Sequence, residues 1–563
     1  MGRHVCFCAL AFALGILASC NSAGVPEGFT FCWGDSGRHY RADVKPQDDA
    51  CCAFGFPAWK GERVNAMALV WSDVPLADVK VSAGALRNGR HRISGDGLKV
   101  SFVSSVMSDV LDSTRFGQCG YRKKADYDSL LVADVIDIDL SRDIPAKTVQ
   151  PVWLSVDVPC DAEPGEYSGE LVLKGSGMGR QVLPVSLTVL PRVLPEPSEW
   201  DFHLDIWQNP YSVARYEGVE LWSDAHFDAM RPVMKILAEA GQKVVTATIM
   251  DRPWNGQTED AFGSMVVKTR KADSTWDYDF SAFDRWVEFM AELGIDSQIN
   301  CYSMIPWNMK FDYVDAASGQ TRYVEAGLDS KEYRWYWESF ISAFAGHLRE
   351  KGWFGKTMIA MDERPLDAML TLIDIVKGVE PDFKLSLAGN WHPEIEKHID
   401  DYCLAYGQAF PDGVAGQRRE RGQFSTVYTC CSEARPNMFL VSEPAEASWL
   451  PWHALSGGYD GYLRWAYNSW TVDPLSDARF RAWPAGDCFV VYPGGRSSVR
   501  MEKLAEGIRD YEKAVILMDE WRRCGDTVSL GNMAAVLEEF KAFALEEGGA
   551  GDAVKKARAL VCR

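Results

Sequence analysis

Two acids stand side by side at Asp362 and Glu363, in the run Thr357-Met358-Ile359-Ala360-Met361-Asp362-Glu363-Arg364-Pro365. Apolar residues lead into them and a helical pattern starts at Pro365, which places the pair where a strand ends and a helix begins. One carboxyl group there can protonate a departing oxygen while its neighbour holds or stabilises a developing cation. The dipeptide alone says little, because Met518-Asp519-Glu520 repeats it in an amphipathic helix whose acids face solvent. Place distinguishes the first pair; the bland alternative is that it only caps the helix at Pro365.

Further candidates lie near other expected strand ends. In Phe202-His203-Leu204-Asp205-Ile206-Trp207, the residues His203, Asp205 and Trp207 share one face of a strand. Polar groups facing inward point to a ligand site or to a buried His–Asp pair. Trp465, Tyr467 and Asn468 could form a floor for a sugar ring and bond its hydroxyl or acetamide groups. Tyr302, Asn390, Trp391, Tyr406 and Tyr428 are the remaining candidates for touching a ligand. The nine His include no H-E-x-x-H, and His392 and His398 lack a useful ligand spacing, so neither metal nor cofactor is expected. The 15 Cys form no C-x-x-C, and no disulfide is expected although Cys51-Cys52 and Cys430-Cys431 are adjacent pairs.

The elements that position these residues change character along the chain. From about 28 to 195 the pattern is period two, as in Val152-Trp153-Leu154-Ser155-Val156-Asp157-Val158, and predicts an antiparallel β-sandwich. Gly175-Ser176-Gly177-Met178-Gly179 is a hairpin turn between two such runs, not a phosphate loop. Pro191-Arg192-Val193-Leu194-Pro195-Glu196-Pro197 reads as a stiff linker. Strands then fall near 200–208, 243–250, 296–304, 356–363, 384–391, 401–407, 425–432 and 461–468. Helical patterns at 224–240, 281–293, 330–350, 365–379, 393–399 and 499–523 alternate with most of them. This predicts a multidomain chain: signal segment 1–19, β-sandwich 20–195, (β/α)8 TIM barrel 196–525 and a C-terminal helical extension 526–563. The clearest helix is 281–293, with Ser281 as N-cap and Gly294 closing it.

With 563 residues, 47% hydrophobic and 25% charged, the composition is that of a folded multidomain protein, which excludes disordered and fibrous classes. A net charge of -20 repels a phosphate backbone, so no nucleic-acid partner is expected. The 21 Trp favour a carbohydrate ligand. At the N-terminus an apolar run, Val5 through Ala18, too short for a comfortable membrane span, ends in Leu17-Ala18-Ser19-Cys20. This resembles the lipobox of bacterial lipoproteins. The resemblance implies cleavage before Cys20, lipidation of that residue, and an exported cell-envelope lipoprotein. Asn21-Ser22-Ala23-Gly24 carries no acidic cluster, which favours the periplasmic side over the cell surface.

Met361-Asp362-Glu363-Arg364-Pro365, the block Gly461-Tyr462-Leu463-Arg464-Trp465-Ala466-Tyr467-Asn468-Ser469-Trp470, Arg479-Phe480-Arg481-Ala482-Trp483-Pro484-Ala485-Gly486-Asp487 and Arg509-Asp510-Tyr511-Glu512 together resemble glycoside hydrolase family 123, the exo-acting β-N-acetylgalactosaminidases. The resemblance implies a glycan substrate with a terminal β-linked N-acetylgalactosamine. It also implies retaining hydrolysis in which the sugar's own acetamide oxygen attacks the anomeric carbon. Glu363 would then be the general acid, and Asp362 would orient the acetamide N–H and stabilise an oxazolinium intermediate. Two alternatives stay open: a conventional retaining β-glycosidase with Glu443 as nucleophile, and a non-catalytic glycan-binding lipoprotein.

Overall fold

A computed structural model of the chain describes residues 24–46, 54–110, 119–120, 129–546 and 549–562. The expected signal segment, Cys20 and the pair Cys51-Cys52 lie outside the described residues.

Eight short, buried strands form a parallel sheet: His203–Ile206, Val244–Thr248, Gln298–Tyr302, Thr357–Met361, Lys384–Gly389, Asp401–Ala405, Phe424–Tyr428 and Gly461–Arg464. They are called the first to eighth barrel strands below. Each falls within a run expected from the sequence, except that the seventh starts one residue before its run. Strands buried on both faces have near-continuous apolar sequence rather than alternation, as Thr357–Met361 illustrates. The first strand pairs with the eighth, and between the first and second the sheet closes through a single bridge, Leu204 to Gln242.

Helices cover the outside. Ser281–Glu292 buries Phe283, Trp286, Val287 and Met290, one face at helical spacing. Ser281 is its first residue, not its cap: Asp279 accepts the Ser281 N–H at 2.8 Å, and Gly294 at φ +86° ends the turn. Two helices not expected from the sequence, Val414–Glu420 and Pro444–Gly457, complete the ring. The second is apolar nearly all round because other helices pack against it, so it shows no clear amphipathic period. A four-stranded sheet, Val267–Arg270, Trp276–Asp279, Lys310–Asp315 and Gln320–Glu325, is inserted in the loops after the second and third barrel strands.

The N-terminal domain is a sandwich of a five-stranded and a seven-stranded sheet. Its strands are not all antiparallel: Phe54–Lys60 runs parallel to Met178–Val193. The chain crosses between the sheets at Gly61, φ +79°, where a Cβ would sit 2.8 Å from the Leu194 carbonyl oxygen. Met178–Val193 also takes in the first three residues of the expected linker. Leu194 is buried, and its N–H bonds Lys60 O at 2.8 Å, so the segment is docked rather than free. Gly177 makes the hairpin turn with φ +75°.

The sandwich is fixed to the barrel by the helix Val499–Cys524 and by the C-terminal helix Ala550–Val561. Lys513 pairs with Glu62 at 2.8 Å and Arg500 with Asp134 at 3.0 Å, all four buried. The Trp59 indole donates to Val561 O at 3.0 Å. Breaking one partner of such pairs leaves a buried charge uncompensated, so they specify a single docking arrangement. Among the described residues, no helix is long and apolar enough to cross a membrane.

Candidate active site

The fourth strand ends at Met361, and Asp362 and Glu363 follow at the mouth of the barrel. Asp362 is 8% exposed, whereas Glu363 reaches into solvent. Both line a cavity of about 230 Å³ together with Trp207, Trp254, Trp307, Tyr428, Trp465 and Trp483. Five of these six aromatics are Trp, which present flat apolar faces with a polar edge. Asp362 and Glu363 are the only carboxylates among the described lining residues.

Asp362 is held by charge-assisted and neutral donors. Arg364 Nη2 lies 2.7 Å from each carboxylate oxygen and Arg364 Nε 3.0 Å from Oδ1; the Trp307 indole donates to Oδ2 at 2.7 Å. Glu363 accepts a hydrogen bond from the Tyr428 hydroxyl. Burial and the neighbouring Glu363 charge push the Tyr428 phenol far above its ordinary value, so it remains a neutral donor at physiological pH. Tyr428 closes the seventh strand and Trp207 and Trp465 follow the first and eighth, so the wall is built from strand ends around the barrel.

Beneath this cavity lies a buried polar layer. His203 Nε2 pairs with Asp401 Oδ2 at 3.2 Å, and the Gln298 amide donates to the same oxygen at 2.7 Å. Burial opposes charge on His203, but Asp401 and Asp205 outweigh it and raise the imidazole above its ordinary value. Asp401 stays below the usual carboxylate range despite burial, because His203 and Gln298 hold it. Asp205 accepts the Asn300 amide at 3.3 Å. Burial and the Asp401 charge push Asp205 up to about 7, against the weaker pull of His203, Trp207 and Asn300.

The structure therefore brings Trp207, Tyr428 and Trp465 together with Asp362 and Glu363. Tyr302 is fully buried against Trp207, with ring centroids 4.5 Å apart, one layer below the cavity. His203 and Asp205 are deeper still and do not line it. Five other candidates point elsewhere. Tyr467 donates to Val233 O at 2.7 Å, towards the helix Asp224–Glu239. Asn468 staples the first loop, accepting from Asn209 N at 2.8 Å and donating to Asn209 O at 2.9 Å. Asn390 is exposed and bonded to Gln408, and Trp391 packs on Tyr402 and Phe410. Tyr406 accepts Phe543 N at 2.7 Å from the C-terminal extension. In each case the strand has ended, at Arg464, Gly389 or Ala405, and the alternation of faces no longer holds.

Loops supply what strand reasoning missed: Trp254, Gln257, Trp307 and Trp483. Trp483 donates to Gln257 O at 2.8 Å and packs edge-on against Trp465. The expectation of no disulfide is corrected by Cys119–Cys431, which joins the sandwich to the loop after the seventh strand at the cavity wall. A sequence separation of 312 residues leaves no local spacing to read. The adjacent Cys430 is a free thiol, pushed up to about 12 mainly by burial.

Glu443 is exposed at the N-terminus of the helix Pro444–Gly457 and is not among the cavity's lining residues. A larger cavity, about 650 Å³, lies between the sandwich and the C-terminal helix. It is away from the strand ends, and its Asp35, Lys503, Lys555 and Arg558 are engaged in salt bridges. Among the described residues, no group of three or more His, Cys, Asp or Glu could hold a metal ion.

Comparison with known proteins places this arrangement. The profile of the glycoside hydrolase 123 catalytic domain matches residues 207–517, and that of the glycoside hydrolase 123 N-terminal domain matches residues 33–175. A solved family 123 glycoside hydrolase from Clostridium perfringens, described in terms of glycolipid glycan hydrolysis, superposes with a TM-score of 0.84 at 26% identity. The match covers 95% of this chain and 97% of that one. A family 5 xyloglucanase from Bacteroides ovatus reaches a TM-score of only 0.28 at 9% identity, covering 85% of this chain and all of that one. No curated protein matches the chain.

Proposed function

The chain belongs to glycoside hydrolase family 123, and from that membership we propose that it is an exo-acting β-N-acetylgalactosaminidase working by substrate-assisted retention. The observation that carries this reading is the composition of the cavity wall. A conventional retaining glycosidase needs carboxyl groups flanking the scissile bond, one as acid and one as nucleophile. Here the lining carboxylates are consecutive on one strand end, and Glu443 is exposed outside the cavity.

In this reading the nucleophile is the acetamide carbonyl oxygen of the bound sugar. Asp362, held by Arg364 and Trp307, accepts the acetamide N–H, so the carbonyl oxygen turns towards the anomeric carbon. As that oxygen forms its bond, the glycosidic C–O bond breaks and Glu363 delivers its proton to the leaving oxygen. The positive charge on the oxazolinium ring is stabilised by the adjacent Asp362 carboxylate. Glu363 then takes a proton from water as the water opens the ring, restoring the β configuration and the protonated acid. Tethering the nucleophile to the substrate replaces a bimolecular encounter with a unimolecular step. The Trp walls supply apolar faces for the ring.

The terminal sugar is tested with aryl β-N-acetylgalactosaminide, β-N-acetylglucosaminide and β-galactoside, each with and without a thiazoline mimic of the bicyclic intermediate. Cleavage of the first alone, blocked by thiazoline, supports the reading; efficient cleavage of the plain galactoside contradicts it. The glycolipid context of the Clostridium perfringens enzyme supports a glycolipid glycan as the natural substrate. Leu17-Ala18-Ser19-Cys20 supports lipidation at Cys20, and the absence of an acidic cluster in Asn21-Ser22-Ala23-Gly24 favours the periplasmic side. Digestion of the protein by protease added to intact cells would exclude the periplasmic side.

A further inference from the structure

We propose that Trp307 is a positioning residue for the reaction, acting through Asp362. This rests on the role assigned to Asp362 above. A carboxylate offers about four lone-pair directions, and Arg364 and Trp307 meet all four with donors. Oδ1 takes Arg364 Nε at 3.0 Å and Nη2 at 2.7 Å; Oδ2 takes the same Nη2 at 2.7 Å and Trp307 Nε1 at 2.7 Å. Nη2 is thus shared between the two oxygens. It is the contact that can withdraw to one oxygen and leave a lone pair for an acetamide N–H. Trp307 and Arg364 Nε then still hold the carboxylate from opposite ends, so its plane stays fixed while the substrate binds.

Trp307 is itself fixed in two further ways. Its backbone N–H bonds Pro253 O at 3.0 Å, tying the loop after the third strand to the loop after the second. The Arg364 guanidinium lies over its ring, 5.9 Å from the centroid. Trp307, Asp362 and Arg364 therefore form a closed triangle. The ring is 45% exposed, so its place at the rim owes more to these contacts than to core packing.

The test is a double-mutant cycle with an activated aryl glycoside. Trp307→Phe keeps an aromatic ring but loses the indole N–H together with part of the ring's area. It is expected to lower kcat by about 10- to 100-fold with KM little changed, because a misplaced group costs rate rather than binding. In an Asp362→Ala background the same substitution is expected to lower kcat far less, since the acceptor is gone. Thermal melting, with Trp307→Ala as a second variant, separates these effects from misfolding. Equal losses in both backgrounds, or a rise in KM alone, would overturn the positioning role while leaving the reading of Asp362 intact. Full activity of Asp362→Ala alone would overturn that reading, and this inference with it.

Discussion

Tyr428, the last residue of the seventh barrel strand, donates its hydroxyl to Glu363, which follows the end of the fourth. The contact spans the mouth of the barrel and fixes the direction in which the acid faces the cavity. Tyr428→Phe is accordingly expected to lower kcat/KM by about 10-fold or more, with the loss in kcat. Steady-state kinetics with a natural oligosaccharide and with an activated aryl glycoside check this. An equal loss on both would place the role of Tyr428 in binding instead.

Glu363→Gln removes the proposed proton donor and keeps the shape. The expected loss is about 10²- to 10⁴-fold in kcat/KM on a poor leaving group. On a dinitrophenyl or similarly activated glycoside the loss in kcat should shrink, because little proton donation is needed. A loss independent of leaving group would assign Glu363 another role.

The fold shows how far sequence pattern reaches. All eight barrel strands coincide with apolar runs, and Asp362-Glu363 was legible because a strand end and a helix start bracket it. Trp207 and Tyr428 were legible for the same reason. Tyr467 and Asn468 were not separable from Trp465 by sequence, because the eighth strand stops at Arg464 and the alternation lapses. Trp254, Trp307 and Trp483 come from irregular loops, where no period relates a residue to a face. Cys119–Cys431 joins two domains through packing that the local sequence does not encode.

Stability should fall as pH rises from about 5 to 8. The Asp205 carboxyl is raised from its ordinary 3.8 to about 7, and burial raises Glu512 and Glu446 to about 7. For a raised group the folded state binds the proton more tightly. Its contribution is therefore complete below the unfolded value and is lost as pH climbs through the folded one. His203, also raised, acts in the same direction. Asp401, Glu506 and Asp510 are lowered, and their contribution is lost only as pH falls below the ordinary carboxylate range. Asp205→Asn should flatten the decline by on the order of 1–3 kcal/mol. Thermal melts across this range check it; a slope unchanged by the substitution would refute the assignment.

Cys119→Ser should destabilise the chain by about 2–4 kcal/mol, since the disulfide closes a long loop between the domains. Reductant should lower the melting temperature of the parent chain and leave the variant unaffected. Peptide mapping without reductant should recover Cys119 joined to Cys431 and leave Cys430 alkylable after unfolding. Recovery of Cys430 in the bond would contradict the pairing.

The central claim is that the substrate's acetamide is the nucleophile. It is tested most directly by kcat/KM for aryl β-galactosaminides bearing N-acetyl, N-fluoroacetyl, N-difluoroacetyl and N-trifluoroacetyl groups. Each fluorine withdraws electron density from the carbonyl oxygen, so participation predicts a steep monotonic fall along the series. A rate that does not change with fluorination would mean that the acetamide does not attack, and would contradict the account.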